Sequence, residues 1–347
     1  MHTIFVRNVN DALPAGVAYL KTNGVRRDSR NGPVLVSPVP VTTIYSHPLE
    51  RVLFDEARDA NPFFHVVESL WMLAGRDDLK TLTDYVSSFS NFSDDGKVIR
   101  GAYGARWRDW FYVPCEEIRD QLPWAIARLK KDPNDRRVVI GMYDPPMDQK
   151  ATDNGSKDIP CNLSVAPWID TDGKLSMTIF CRSNDIIWGA YGANAVHFSF
   201  LMEYLAAGIG VEVGTMYQVS NNYHGYLATI EKSDRWTNPY EFSYSHFPLA
   251  AFGDYDVQNL KQFDEDLTIF FDEPSAVGIR SRFLRQVACP IVLSHQAYRN
   301  KKDPYRFTKA LEIVNQCRAD DWKAACIQWL SRRQTAAELK KGEPDHA

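Results

Sequence analysis

A chain of 347 residues with 44% apolar and 12% aromatic content can bury a real core, so disorder is excluded and one large or two moderate globular domains are expected. A net charge of -4 excludes a general affinity for nucleic acid and leaves only local contacts to polyanions. Cys115, Cys161, Cys181, Cys289, Cys317 and Cys326 form no CxxC pair, which reads as reduced cytosolic thiols rather than disulfides or a zinc site.

The amino-terminal MHTIFVRNVNDALPAG lacks the basic-then-apolar order of a signal peptide, and no run approaches membrane-spanning length. The expectation is a cytoplasmic protein with no membrane partner. NPFFHVVESLWMLAG, from Asn61 to Gly75, has apolar residues at helical spacing around one carboxylate, Glu68. A second helix is predicted through DDLKTLTDYVSSF, and an amphipathic one through EEIRDQLPWAIARLKKDPNDRR, closed by a turn at Asp132-Pro133. VVIGMY, CNLSVAPWI and KLSMTIFCRS read as strands, the last two joined by the turn DTDGK. NAVHFSFLMEYLAAGIG is a helix ending at glycine, and VEVGTMYQVS is a strand. DPYRFTKALEIVNQC and DDWKAACIQWLSRRQTAAELKK are helical, and the tail GEPDHA is polar. With no repeat and no obvious linker, this is one α+β domain with a helical carboxy-terminal region, residues 1–285 forming the main body and 286–347 a helical extension packed on it.

Several polar residues stand out against apolar surroundings. Cys161 directly follows a proline and opens an apolar run, with Asn162 next. Glu68 is costly to bury unless paired, and an ion pair at a helix edge is its plain structural reading. Arg30, the doublet Arg136-Arg137 and Arg182 are each ordinary as solvated or paired residues. Together with a placed cysteine they suggest a phosphate cradle, because guanidinium forks bind phosphate oxygens bidentately. The alternation of KLSMTIFCRS predicts that Arg182 points into the fold.

VESLWMLAG, YGARWRDW, DPNDRRVVI, IPCN, RSNDIIWGAYGAN and SNNYHGY occur in the order and approximate spacing of thymidylate synthase, and from about Arg30 to Tyr226 the chain resembles that family. The resemblance implies a mixed central sheet packed by helices, a homodimer, and a pyrimidine nucleotide and 5,10-methylenetetrahydrofolate as substrates, with no metal. It implies that Cys161 adds to C6 of the pyrimidine, the arginines helping to populate its thiolate. Arg30, Arg182 and Ser183 would hold the phosphate, joined by Arg136 and Arg137 from the partner subunit. Glu68 would assist proton movements through ordered water, and Asn194 would read the pyrimidine edge in an order that fits uracil. His224 and Tyr226 would contact the sugar, and Trp107, Trp110 and Asp185 would line the folate pocket. The stretch from Tyr103 to Trp110 also reads as ordinary aromatic core.

Three departures accompany the resemblance. Asn162 replaces the histidine usual after the nucleophile, the loop from Asp185 to Asn194 is one residue longer, and the carboxy terminus is unlike the tail that closes over the family's site. Methylation requires that water be excluded while hydride is delivered, whereas hydroxymethylation admits water to the same carbon. Without the closing tail, and with Asn162 as a candidate for positioning that water, the sequence leans towards hydroxymethylation of dUMP. A true thymidylate synthase, a dCMP or CMP hydroxymethylase and a silent nucleotide-binding protein remain as alternatives. A cysteine hydrolase using Cys161 and His224 would lack a glycine-framed nucleophile turn and leave four arginines unexplained.

Overall fold

The structure is a computed structural model that describes residues 1–111, 120–233, 244, 252, 259–275 and 277–342, with side chains as far as 339. In chain order the first elements are β1 (His2–Val6), α1 (Val9–Asn23), β2 (Val25–Arg27), β3 (Val34–Val36) and β4 (Val41–Tyr45). Next come α2 (Pro62–Leu73), α3 (Leu79–Thr83), α4 (Tyr103–Arg108), α5 (Gln121–Lys131), β5 (Ile140–Gly141) and α6 (Pro145–Asp153). They are followed by β6 (Asn162–Ile169), β7 (Leu175–Asp185), α7 (Ala195–Ile209), β8 (Val213–Tyr226) and α8 (Leu227–Ile230). The carboxy-terminal part contributes α9 (Leu260–Asp272), α10 (Cys289–Arg299), α11 (Arg306–Val314) and α12 (Asp320–Gly342).

One mixed sheet runs β1-β4-β8-β7-β6-β5, with β3 pairing the end of β8 and β2 pairing β3. β1/β4 and β7/β8 are parallel, and the other pairs are antiparallel. Strand alternation gives the sheet two unlike faces. Ile4, Thr43, Gln218, Ile179 and Val165 share one register row and are all buried beneath the helices. The adjoining row of Phe5, Ile44, Tyr217, Thr178 and Ala166 lies on the other face, where none is buried and Phe5 is 71% exposed. Phe180, one row further, is also exposed.

Beneath the covered face, α2 and α7 pack against each other. Every residue of α2 is buried, as is nearly all of α7, so these helices are apolar around their full circumference. Their few polar side chains must therefore find partners inside the protein. Asn61 caps α2 by accepting from the Phe64 amide, and Gly210, at φ 90°, ends α7 in the left-handed conformation that favours glycine.

The sequence-predicted elements recur with three corrections. DDLKTLTDYVSSF is not one helix: α3 stops at Thr83, and a 3-10 turn follows over Ser87–Phe92. Thr83 bonds back to the Leu79 and Lys80 carbonyls, and Tyr85 stacks on His295 of α10 at 4.3 Å, so tertiary packing overrides continuation. VVIGMY pairs over only Ile140–Gly141. The strand beginning at VEVGTMYQVS pairs as far as Tyr226. The helix predicted from Glu116 is seen over Gln121–Lys131, its first residues, Cys115 and the tail beyond Gly342 lying outside the described residues. Among the described residues no helix is long and apolar enough to cross a membrane.

The carboxy-terminal helices pack onto the sheet-bearing body. Trp329 of α12 sits 5.3 Å from Phe63 of α2 in an edge contact. Arg332 and Arg333 of α12 both engage Asp59, in the loop that leads into α2.

Candidate active site

β6, β7 and β8 bring most of the singled-out residues to one end of the sheet. Asn162 pairs with Cys181, Cys181 with Ser220, Ser183 with Asn222 and Asp185 with His224. Cys161 therefore lies opposite Arg182, whose amide donates to the Cys161 carbonyl at 2.8 Å. β3 pairs Val34 with Tyr226 and Val36 with His224, which carries the preceding segment, including the exposed Arg30, to the same end. Asn31 Nδ2 reaches the Tyr226 hydroxyl at 3.4 Å.

The Cys161 thiol is pushed up, against the expectation of a lowered value. Burial is the main cause; Arg182 and Arg30 pull it down, and Asp158 pushes it further up. Asp158 is itself raised to about 6, chiefly by burial. In the single chain two guanidinium groups do not outweigh desolvation.

Arg182 also departs from the expected direction. The inward residues of β7 are Ile179 and the buried Cys181, so Arg182 alternates away from the core with Phe180. Its guanidinium folds back onto the Pro160 and Ile159 carbonyls, each at 2.9 Å, which braces the turn that carries Cys161. Arg136 and Arg137 are exposed beyond α5, and Arg137 is held by Asp135 in a two-pronged ion pair. They precede Val139, which is 49% exposed and alternates with the buried Val138 and Ile140. The doublet thus sits beside the uncovered face of the sheet.

Asn194 is buried within a chain of amides. It accepts from Asn162 Nδ2 at 3.2 Å and donates to Asn184 Oδ1 at 3.2 Å, and Asn184 donates to Ser220 at 2.9 Å. The longer loop is absorbed as π-helical turns over Ile186–Asn194 that run straight into α7. Gly189 lets those turns approach the amide chain, since a Cβ there would lie 2.8 Å from Asn184 Oδ1.

The predicted folate-pocket residues separate. Trp107 is completely buried with its ring against Phe198, and its indole Nε1 has no hydrogen-bond partner among the described residues. Trp110 is partly buried; it donates to Asp144 at 2.9 Å and carries the Arg106 guanidinium 3.5 Å from its ring centre. Asp185 caps the π-helical segment through Oδ2, while its buried Oδ1 has no hydrogen-bond partner among the described residues. Burial pushes the Asp185 carboxyl up, and His224 and Arg58 oppose that.

Sequence reasoning missed several neighbours. Trp188 is 59% exposed beside Asp185 and carries Arg58 4.2 Å from its ring centre. Phe64, Phe89 and the exposed Phe92 form a ladder from α2 to the surface, with ring spacings of 5.3 and 5.7 Å. Tyr103, read as core, accepts the Asn162 amide at 3.3 Å, next to the cysteine. Glu68 is buried, and its Oε2 lies 2.9 Å from Nε2 of His197 on α7 without completing a well-directed hydrogen bond. The signal for His197 was present: it is a histidine within an apolar helix, three residues after Asn194 and on the same helix face.

Among known proteins, residues 22–267 match the family model described as thymidylate synthase. The chain is 46% identical to a deoxyuridylate hydroxymethyltransferase of Pseudomonas phage M6, over 98% of this chain and 97% of that protein. It is 40% identical to one of Bacillus phage SP01, over 54% of this chain and 49% of the relative. A thymidylate synthase of Corynebacterium aurimucosum is 30% identical over 49% of this chain and 62% of the relative. The family match stops before α10, α11 and α12.

Proposed function

We propose that this chain, which belongs to the thymidylate synthase family, converts dUMP to its 5-hydroxymethyl derivative. Members of the family are folate-dependent one-carbon transferases that take 5,10-methylenetetrahydrofolate as co-substrate. The observation that carries the hydroxymethyl branch is end-to-end similarity to a deoxyuridylate hydroxymethyltransferase, with 46% identity over 98% of the chain. The thymidylate synthase reading is less favoured because those relatives are more distant and match over less of the chain.

In this reading Cys161 attacks C6 of uracil, which turns C5 into a carbon nucleophile, and the folate supplies a one-carbon unit at the oxidation level of formaldehyde. Arg182 and Arg30 act on the thiol from one chain, and Ser183, next to Arg182 on β7, meets the phosphate. Asn194 reads O4 and N3, with its amide orientation held by Asn162 and Asn184. Glu68, buried next to the base-reading helix, moves protons at the ring. His224 and Tyr226, at the end of β8, face the sugar. The folate ring stacks on the exposed Trp188, beside the unpartnered Oδ1 of Asp185, which can accept from a heteroaromatic N–H.

The enzyme acts as a homodimer in this proposal. Phe5, Tyr217 and Phe180 lie on an uncovered sheet face, with the exposed Val139 just before β5, and apolar surface of that kind favours burial against a second copy. Pairing there brings Arg136 and Arg137 towards the partner's phosphate site and supplies cations that one chain lacks at Cys161. Residues 1–285 form the catalytic domain in this reading, and 286–347 are a helical extension on it. The described cysteines are free, in keeping with a reducing cytoplasm.

Mass analysis of the nucleotide after incubation with dUMP and methylenetetrahydrofolate tests the proposal. The expected result is a hydroxymethyl increment, with tetrahydrofolate as co-product and the new oxygen taken from labelled water. A methyl increment with stoichiometric dihydrofolate would overturn it, and turnover of dCMP in preference to dUMP would overturn the base assignment.

A further inference from the structure

His197 is a buried polar group that the reaction above does not use. Its side chain is 2% exposed, and neither ring nitrogen has a hydrogen-bond partner among the described residues. An imidazole left this way is expensive unless something else occupies the vacant nitrogen. Its Nε2 lies 2.9 Å from Glu68 Oε2, so the carboxylate fixes which nitrogen carries the proton and leaves Nδ1 as the acceptor. Carboxylate, imidazole and an open acceptor nitrogen are the parts of an oriented general base. The poor alignment of the Glu68–His197 contact is normal for such a pair before substrate binds.

The position along α7 sets that base beside the residue proposed to read the pyrimidine. His197 is one helical turn from Asn194, on the same side of the helix. On a uracil ring C5 lies between C4, whose oxygen Asn194 reads, and C6, which Cys161 attacks. Asn162, adjoining Cys161, is hydrogen-bonded to Asn194, so these two contacts bracket the C5 edge. Other charged or titratable groups nearby are His65, one turn before Glu68 on α2, and Arg58. Burial, then His197 and Arg58, push His65 down to about 3, so it stays neutral and does not compete for the water proton.

We propose that His197 is the base that takes the proton from the water adding to the exocyclic methylene at C5, with Glu68 as its orienting partner. The inference rests on the hydroxymethylase reading above. The water oxygen bonds to the methylene carbon, and the π pair of the C5=CH2 bond moves through C4 onto O4 as an enolate. The water proton passes to Nδ1. The enolate then collapses, restoring C4=O and C5=C6 and expelling the Cys161 thiolate, and the imidazolium returns its proton to the thiolate or to solvent. Nothing is oxidised or reduced.

The test uses the full-length enzyme with dUMP tritiated at C5, comparing wild type with His197→Gln and His197→Asn. Tritium release depends on Cys161 addition, one-carbon attachment and C5 deprotonation, all of which precede hydration. Both variants should keep dUMP binding and tritium release, while hydroxymethyl product falls about 10²- to 10⁴-fold, the usual worth of a general base. With 2-mercaptoethanol present, the stalled methylene should be captured as a thioether at C5 in the variants. Release and product falling together in both variants, as a purely structural role would require, overturns the proposal. So does unchanged product formation. A wild-type enzyme that makes methyl product and dihydrofolate instead sinks the hydroxymethylase reading itself, whatever the variants do.

Discussion

Asp59 is the point where the carboxy-terminal extension grips the loop before α2, and removing its charge should loosen both. The Arg333 fork meets the carboxylate at 2.9 and 2.8 Å, and Arg332 meets it at 3.0 and 3.3 Å. Arg333 is held over the Trp329 ring at 3.4 Å, so its fork is preorganised. Asp59 is 44% exposed, so each pair is discounted to the upper end of the exposed range, about 1 kcal/mol, and the clasp contributes about 1–2 kcal/mol. Asp59→Asn keeps a residue that tolerates φ 50° and should lose only that amount, whereas Asp59→Ala should lose about 1 kcal/mol more through backbone strain. Burial alone would raise the Asp59 carboxyl, but hydrogen bonds from Arg333 and Arg332 hold it below the ordinary value. The clasp is therefore fully present above the unfolded value and is lost as pH falls through the lower folded one.

The functional consequence runs through the preceding residue. Arg58 donates to the Ile187 carbonyl at 3.0 and 3.2 Å and covers Trp188, at the proposed folate surface. Loosening the loop by about 1–2 kcal/mol should raise the folate KM by about fivefold to thirtyfold at most while leaving the dUMP KM nearly unchanged. Denaturant midpoints at low and high salt, with KM for both substrates, measure the two effects. Arg332→Ala/Arg333→Ala should reproduce Asp59→Asn and add little to it. An unchanged folate KM alongside a lowered midpoint would refute the coupling, and an unchanged midpoint would refute the clasp.

Asp158→Asn should speed alkylation of Cys161 by iodoacetamide, because the carboxylate pushes the thiol up; the gap should open as pH rises through about 6, where wild-type Asp158 ionises, and equal rates at all pH would count against it. Asn194→Asp should lose dUMP turnover and gain dCMP turnover, since the donor to O4 becomes an acceptor for an amino group; a retained dUMP preference would place base reading elsewhere. Asp148→Ala should cost about 3–5 kcal/mol by leaving the fully buried Arg106 without its 2.9 Å partner, which urea unfolding would detect. Mixing inactive Arg137→Ala with inactive Cys161→Ala should restore activity in the heterodimer if the phosphate site is shared, and proven subunit exchange without recovery would exclude that arrangement.

Local sequence was sufficient wherever a short stretch carries its own signal. The alternation of CNLSVAPWI and KLSMTIFCRS made them strands, and the register then placed Cys161 opposite Arg182. Asn61-Pro62 and Gly210 marked ends of the two buried helices, and the motif around Cys161 identified the family that the comparisons bear out. What the sequence left undecided depends on how distant segments pack. Alternation along β7 does not reveal which side the helices cover, so Arg182 was expected inside, whereas the sheet turns Cys181 inward instead. Trp107 and Trp188 are the same residue type, but α7 packs one into the core and leaves the other on the surface. An extra residue between Asp185 and Asn194 signals a longer loop, and only the helix beyond it turns the insertion into π-helical turns. Glu68 meets His197 because α2 packs on α7, and Asp59 meets Arg332 and Arg333 because α12 folds back across the body. Both contacts join residues far apart in the chain, where loop closure has to be offset by burial elsewhere, so no local pattern encodes them.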